Sequence, residues 1–401
     1  MLSNSTGKDA RANIFNANTL SNVSLRGVKR RSLVLSGAKE LLRLPRASPS
    51  QRLRRIATPC GLAMTCNGNK CVCISFLFFF LFTLFCSDLS YSANVFKYHQ
   101  VAMGTVVEIT LIGNDEEAAK KAALQAFQEI RRIEHLMSPW IESSDVSRIN
   151  RSAGNDGVRV SPETVEVLKR AQEVSKLSEG GFDITVGPLV QLWRKARERG
   201  MPPEMEQVKE ILNLVNFRNL KTHYGGKVLL KKKGMAIDLG GIAKGYAVDK
   251  AFELLRDLGY KNLIVNAGGD LRVGGTKLDQ PWSIGIQHPR DPEKIMARIS
   301  VSDIALATSG DYEKFFIHQG KRYHHILNPR NGFPAEGCQS VTVLHNEGAT
   351  ADALATAIFV LGPEKGFSLC KKLKGVNCLI IDKGGKIIFS PSLKERISFV
   401  L

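Results

Sequence analysis

MGTVVEITLIGNDEEAAKKAALQAFQEIRRIEHLM, residues 103–137, changes its hydrophobic period part-way along, and that change decides the fold class. Over residues 103–113, Val107, Ile109 and Leu111 alternate with Val106, Glu108 and Thr110, the period-two pattern of a strand. Beyond it Ala119, Ala123, Phe127, Ile130 and Met137 recur at three- and four-residue steps, so the chain turns into an amphipathic helix. Asn114 is the expected cap, and Asp115, Glu116 and Glu117 form an acidic first turn suited to the helix dipole.

The same mixture continues down the chain. Ser161 and Pro162 open a second helix, with Val165, Leu168, Ala171 and Val174 on one face and Gly180-Gly181 at its stop. Strand-like runs at 228–230, 263–265, 282–286, 341–344, 379–381 and 387–389 intersperse with helices near 241–258 and 350–361. The expected class is α+β: a mixed α/β single catalytic unit over residues 94–401, with room for two packed subdomains and no repeat, coiled coil or long linker dividing it.

Ahead of residue 94 the composition is different. ISFLFFFLFTLFC, residues 74–86, carries no charge and lies between Lys70 and the small residues Ser90, Ser92 and Ala93. That is the layout of a secretory signal peptide, and it is shorter than the ~18 apolar residues of a membrane span. Read from Met64, MTCNGNKCVC is an n-region of ordinary length, so residues 64–93 are expected to be a signal peptide or membrane anchor. Residues 1–63 are then a non-native upstream extension; the alternative keeps them as a disordered basic arm ahead of an uncleaved anchor. Either way the expected location is outside the cytoplasm, in the periplasm, free or tethered to the periplasmic face of the inner membrane.

Of the formal charge of +18, +10 falls before residue 64, because twelve Lys/Arg there face only Asp9 and Glu40. The remaining +8 favours an anionic ligand but is too dilute for a nucleic-acid stripe, and aromatics interleaved with a basic patch are absent. Of eight cysteines only Cys338, Cys370 and Cys378 follow residue 93, with no CxxC metal spacing. Cys370 and Cys378 as a pair, or all three as buried thiols, are both open.

Four polar, Gly-rich segments border expected strands and helices: 181–188, 237–245, 266–270 and 324–332. In the second, IDLGGIAKG, glycines before a helix let backbone groups approach a phosphate, while the helix N-terminus and Lys244 supply positive potential. It lacks Walker A spacing, and two glycines at a helix start are by themselves more often a capping turn than a phosphate site. Asp352 and Thr356, four apart at a helix start, project from one face and suit a hard, oxygen-seeking cation such as Mg²⁺. The plain alternative is an acid serving the helix dipole and a Thr bonded to the preceding turn. His325, beside His324, suits a general base for a hydroxyl nucleophile, a solvated or core histidine being the alternative.

Eight motifs in order carry a resemblance that spans residues 94–401: 103–105 (MGT), 137–140 (MSPW), 181–183 with 186–188 (GFD, VGP), 238–245 (DLGGIAKG), 266–270 (NAGGD), 308–312 (TSGDY), 325–326 with 328–329 (HI, NP), and 351–357 (ADALATA). In this order they resemble the ApbE-like FAD:protein FMN transferases. The resemblance implies an ApbE-like fold related to the T-fold. It implies an FAD pocket bordered by Met103, Trp140, Gly181, Phe182, Asp183, Asp238, Lys244 and Ile326. It also implies Mg²⁺ on Asp352, Thr356 and the main-chain carbonyl of Gly241, and His325 at the position of the family's base.

The implied reaction is transfer of FMN from FAD to a Thr or Ser hydroxyl of an acceptor flavoprotein, with AMP leaving and a metal neutralising the pyrophosphate. The implied acceptor carries a Ser-Gly-Ala-Thr-like motif and is a subunit of a redox pump or an exported flavoprotein. This chain's own Glu347-Gly348-Ala349-Thr350 departs at the first residue and reads as scaffold. Trp140 stands where many relatives have Tyr, and Gly241 where some have Ser or Thr. Two rival readings use the same pocket: a Mg²⁺-dependent FAD pyrophosphatase with water as nucleophile, and an exported FAD-binding or storage protein.

Overall fold

Along β2 (Thr105–Gly113) Val107, Ile109 and Leu111 are fully buried on one face and Val106 is 58% exposed on the other, where Thr110 and Ile112 further along are buried as well. The computed structural model describes residues 93–400, so the expected extension at 1–63 and, Ala93 apart, the signal or anchor segment lie outside the described residues. The other strands of the first half are β1 (Asn94–Ala102), β3 (Val158–Arg159), β4 (Leu220–Thr222), β5 (Lys227–Leu230), β6 (Leu263–Ala267) and β7 (Asp270–Gly274). There follow β8 (Trp282–His288), β9 (Asp291–Val301), β10 (Ile304–Gly310), β11 (Phe315–His318) and β12 (Lys321–His324). The last are β13 (Cys338–His345), β14 (Asn377–Asp382), β15 (Ile387–Phe389) and β16 (Ile397–Phe399). The helices are α1 (Glu116–Met137), α2 (Asp145–Arg151), α3 (Pro162–Leu177), α4 (Gly187–Arg199), α5 (Met205–Leu212), α6 (Ala243–Asp257) and α7 (Gly348–Lys372).

Eight strands form one antiparallel sheet in the order β1-β2-β6-β7-β10-β13-β14-β15. Both of its faces are apolar because both are covered. Ile109, Val265, Ala307, Val343 and Ile380 face a layer that includes α1, α3, α6 and α7, whereas Leu271, Val273, Leu306, Leu344 and Leu379 pack on the small sheet β16-β9-β8 through Trp282, Ile286 and Ile299. A third cluster joins α4 and α5 to the β11–β12 hairpin around Trp193. One sheet is shared by its two covering layers, and the described residues belong to one compact unit, as the sequence led us to expect.

The cap of α1 is Asp115, not Asn114 as expected: its carboxylate accepts from the Ala118 N–H at 3.0 Å. Strand β2 ends at Gly113 as expected, Asn114 is left as a linker, and Asp adds a full charge at the positive end of the dipole. Helix α3 opens on Ser161 as expected and ends at Leu177, with Gly180 in the left-handed region (φ +83°) donating back to the Ser175 carbonyl. Cys338, Cys370 and Cys378 are free and buried, which settles the disulfide alternative.

Helices α6 and α7 cross backbone against backbone. A Cβ on Gly245 would overlap the Gly348 carbonyl, and one on Gly348 would lie 2.7 Å from the Gly245 carbonyl oxygen. Asp249, buried on α6, accepts from the Gly348 and Ala349 N–H groups at 2.8 and 3.0 Å and so satisfies the first donors of α7. Arg272 of β7 pairs with the same carboxylate at 2.8 Å. Gly245→Ala is expected to cost about 1–3 kcal/mol of stability by overpacking, measured as a lower midpoint in urea; an unchanged midpoint would show that the crossing has slack.

Candidate active site

Strand order gathers motifs that are far apart in sequence at one end of the large sheet. The β1–β2 turn holds Met103 (φ +52°) and Gly104 (φ +72°), and the Met103 N–H donates to Glu134 Oε1 of α1 at 2.9 Å. Val107 of β2 pairs with Ala267 of β6, so the β6–β7 turn at Gly268-Gly269 lies beside it. Gly268 (φ +62°) abuts Thr105 so closely that a Cβ would overlap the Thr105 side chain. Strand β10 ends at the same place, where the Thr308 N–H donates to Asp270 Oδ1 at 3.3 Å.

The N-terminus of α6 approaches this end from the helical face. Phe182 packs against Gly241, and the Asp238 N–H donates to the Ile184 carbonyl at 2.8 Å, tying the 181–188 and 237–245 segments together. Asp238 turns its carboxylate back onto the Gly240 N–H at 2.8 Å, and burial raises its pKa above the ordinary carboxylate value. A Cβ on Gly241 would sit 3.2 Å from Thr356 Oγ1, which itself bonds Ser309 Oγ at 3.1 Å. One turn earlier on α7, Asp352 accepts from the Gly245 N–H at 3.2 Å.

The Asp352 carboxylate is buried, and burial pushes its pKa up against the pull of Lys244. Among the described residues it has no ion-pair partner, because Lys244 is bound to the buried carboxylate of Asp270. One carboxylate, one hydroxyl and one main-chain carbonyl are hard oxygen donors, and no group of three His, Cys, Asp or Glu capable of holding a metal occurs among the described residues. The residues present therefore fit Mg²⁺ and do not fit zinc.

His324 and His325 divide two tasks. His324 is buried, donates Nε2–H to the Ala335 carbonyl at 2.9 Å, and accepts the Ile326 N–H on Nδ1 at 3.2 Å. Its ring meets Phe359 of α7 edge-on, which fixes the segment to the helix carrying Asp352. His325 is exposed. The protein packed around it, then the charges of His324, Lys314, Lys244 and Arg197, push its pKa down, leaving a neutral imidazole at neutral pH.

The remaining expected residues are placed as follows. Ile326 is buried, and Gly181 lies against Leu361 of α7. Asp183 spends both oxygens inside the protein, accepting from the Thr185 N–H and hydroxyl and from the Phe217 N–H, so it shapes the loop below Phe182. Trp140 is 61% exposed with the Arg194 guanidinium 4.3 Å over its ring. Sequence reasoning placed Asp270 and Ser309 inside motifs of the site but gave neither a role, and it did not single out Asp249, whose available signal was an acid on an otherwise apolar face of α6.

The ApbE family model matches residues 103–380. The chain belongs to the ApbE family. It is 31% identical over 308 residues to an FAD:protein FMN transferase of Klebsiella pneumoniae, covering 76% of this chain and 95% of that protein. With an FAD:protein FMN transferase of Vibrio cholerae the identity is 34% over 306 residues, covering 74% and 91%. Among solved structures, the ApbE protein of Thermotoga maritima superposes with a TM-score of 0.70 at 35% identity over 76% of this chain and 99% of its own. The flavin transferase ApbE of Vibrio cholerae gives 0.68 at 31% identity, with the same coverage of both chains. Membership agrees with the resemblance carried by the eight motifs.

The depressed pKa has a sign that can be checked. In the ligand-free protein the His325 ring is expected to titrate below the ordinary 6.5 by NMR, and to move upward when FAD brings its pyrophosphate among the same cations. A ligand-free pKa at or above 6.5 contradicts this account of the site.

Proposed function

We propose that this ApbE-family chain is an FAD:protein FMN transferase that moves the FMN moiety of FAD onto a Thr or Ser hydroxyl of an acceptor flavoprotein. The observation that carries the proposal is the convergence of Asp352, Thr356 and Gly241 on the N-terminus of α6, beside Lys244 and the neutral His325.

The N-terminal end of α6 and Lys244 bind the pyrophosphate of FAD, since both present positive potential to an anion. Asp270 holds Lys244 and limits its conformations. Phe182 and Ile326 supply apolar surface and Met103 a partly buried contact, while Trp140 offers a flat exposed face for a ring. His325, neutral at working pH, accepts the proton of the acceptor hydroxyl as its oxygen attacks the phosphorus on the riboflavin side. The bond from that phosphorus to the bridging oxygen breaks, and AMP leaves with the bridging oxygen. Asp352, Thr356 and the Gly241 carbonyl would hold Mg²⁺, which when bound would neutralise pyrophosphate charge.

The acceptor is a protein with a Ser-Gly-Ala-Thr-like segment, such as a redox-pump subunit or exported flavoprotein. Export to the periplasm, free or tethered to the inner membrane, belongs to the same proposal and rests on the apolar run at 74–86. The chain's own 347–350 segment serves as scaffold: Gly348 and Ala349 are buried on Asp249, and Thr350 Oγ1 donates to Glu347 at 2.8 Å.

Incubation with FAD, Mg²⁺ and an acceptor domain bearing a Ser-Gly-Ala-Thr-type segment is expected to add FMN to the acceptor, read by mass spectrometry. EDTA abolishes the adduct, and Asp352→Ala slows its formation by about 100-fold or more, roughly 3 kcal/mol of barrier. Free FMN and AMP without adduct would identify a pyrophosphatase, and untouched FAD a binding protein.

A further inference from the structure

On the face of the large sheet opposite the helices lies a cavity of about 500 Å³, walled on one side by sheet residues such as Thr110, Asn266 and Thr308. Its other wall is β8, and residues 281–287 line it without a gap. A strand that turns a face to a cavity contributes alternate residues, because successive side chains point to opposite sides. An unbroken run means that β8 presents its edge.

The ladder agrees. β8 is the outer strand of the sheet β16-β9-β8, and among the described residues no strand pairs with its other side. The Ser300 N–H of β9 donates to the Arg396 carbonyl at 2.8 Å, on the side away from β8. By antiparallel alternation Ile299 and Val301 then bond β8 through their partners Ile284 and Trp282, while Ser283 and Gly285, opposite Ser300 and Arg298, turn their N–H and C=O groups to the free edge. Both residues are exposed. Unpaired strand edges of this kind are templates for an added strand.

The cavity also reaches the rim of the sheet beside the active site. Its lining includes Gly269, the residue before the Asp270 that holds Lys244, and Thr308, the residue before the Ser309 that bonds Thr356. Gly268-Gly269 and the end of β10 form the rim of the sheet, where the cavity face and the helical face meet.

We infer that the extended flavinylation segment of the acceptor protein docks as an added strand on the free edge of β8, its reactive hydroxyl carried over the Gly268-Gly269 rim to the site. The inference rests on the transferase reading above, since a hydrolase or storage protein needs no such track. Main-chain pairing holds the segment largely irrespective of its side chains, so a short motif suffices for recognition.

Ser283→Pro removes an outward donor and leaves the bonds of β8 to β9, as proline is tolerated on the open side of an edge strand. It is expected to raise KM for the acceptor about tenfold without changing Kd for FAD, while Ser283→Ala, which keeps the N–H, transfers as the unaltered protein does. In the unaltered protein the Ser283 and Gly285 amides are expected to exchange fast alone and to become protected from hydrogen exchange when the acceptor domain is added. A wild-type acceptor KM in Ser283→Pro, amides unchanged by acceptor, or amides already protected without it each overturn the docking proposal. The exchange result decides even if the proline variant fails to fold. Acceptor-induced protection with no FMN adduct would instead sink the transferase reading and leave the docking edge standing.

Discussion

Gly245 and Gly348 allow α6 and α7 to touch backbone to backbone, and the site depends on that crossing. Any side chain at either position would push the helices apart and draw Gly241 away from Thr356 and the Gly245 N–H away from Asp352. Asp249 locks the crossing by capping α7 from α6, and Arg272 ties the same carboxylate to β7. Two helices and a strand distant in sequence are thus held by one buried carboxylate whose hydrogen bonds offset part of its desolvation, burial still raising its pKa.

Around this joint the charges are arranged in a definite order. Asp270 takes Lys244, which leaves Asp352, among the described residues, as a buried acid without an ion-pair partner and accords with burial dominating its pKa. His324 is consumed by two backbone hydrogen bonds and an aromatic contact, whereas His325 faces outward as a neutral base among cations. A dianionic pyrophosphate entering here meets positive potential on one side and a ready proton acceptor on the other.

Local pattern made the strand–helix pair at 103–137, the start of α3 and the shared helix face of Asp352 and Thr356 legible in the sequence, because each is written within one or two turns of chain. β1 was not foreseen because it is the outer strand of the sheet and its residues are mostly half-buried or exposed, so it lacks a strong apolar alternation. The first half of β9, Asp291-Pro292-Glu293-Lys294, reads as a turn and is exposed in the fold. Ser309, Asp270 and Asp249 join the site through strand pairing and helix crossing, for which no local spacing exists. Asp183, in a segment that resemblance assigns to the border of the flavin pocket, spends its oxygens on Thr185 and Phe217, contacts that only the folded chain reveals.

The central claim is that the α6–α7 crossing builds one metal and pyrophosphate site. A crystal structure with FAD and Mn²⁺ substituted for Mg²⁺, read by anomalous scattering, tests it directly. The account predicts a metal peak within about 2.2 Å of an Asp352 oxygen, Thr356 Oγ1 and the Gly241 carbonyl, with the pyrophosphate between it and Lys244. A metal bound elsewhere, or a flavin nucleotide whose phosphates lie away from the start of α6, would contradict it.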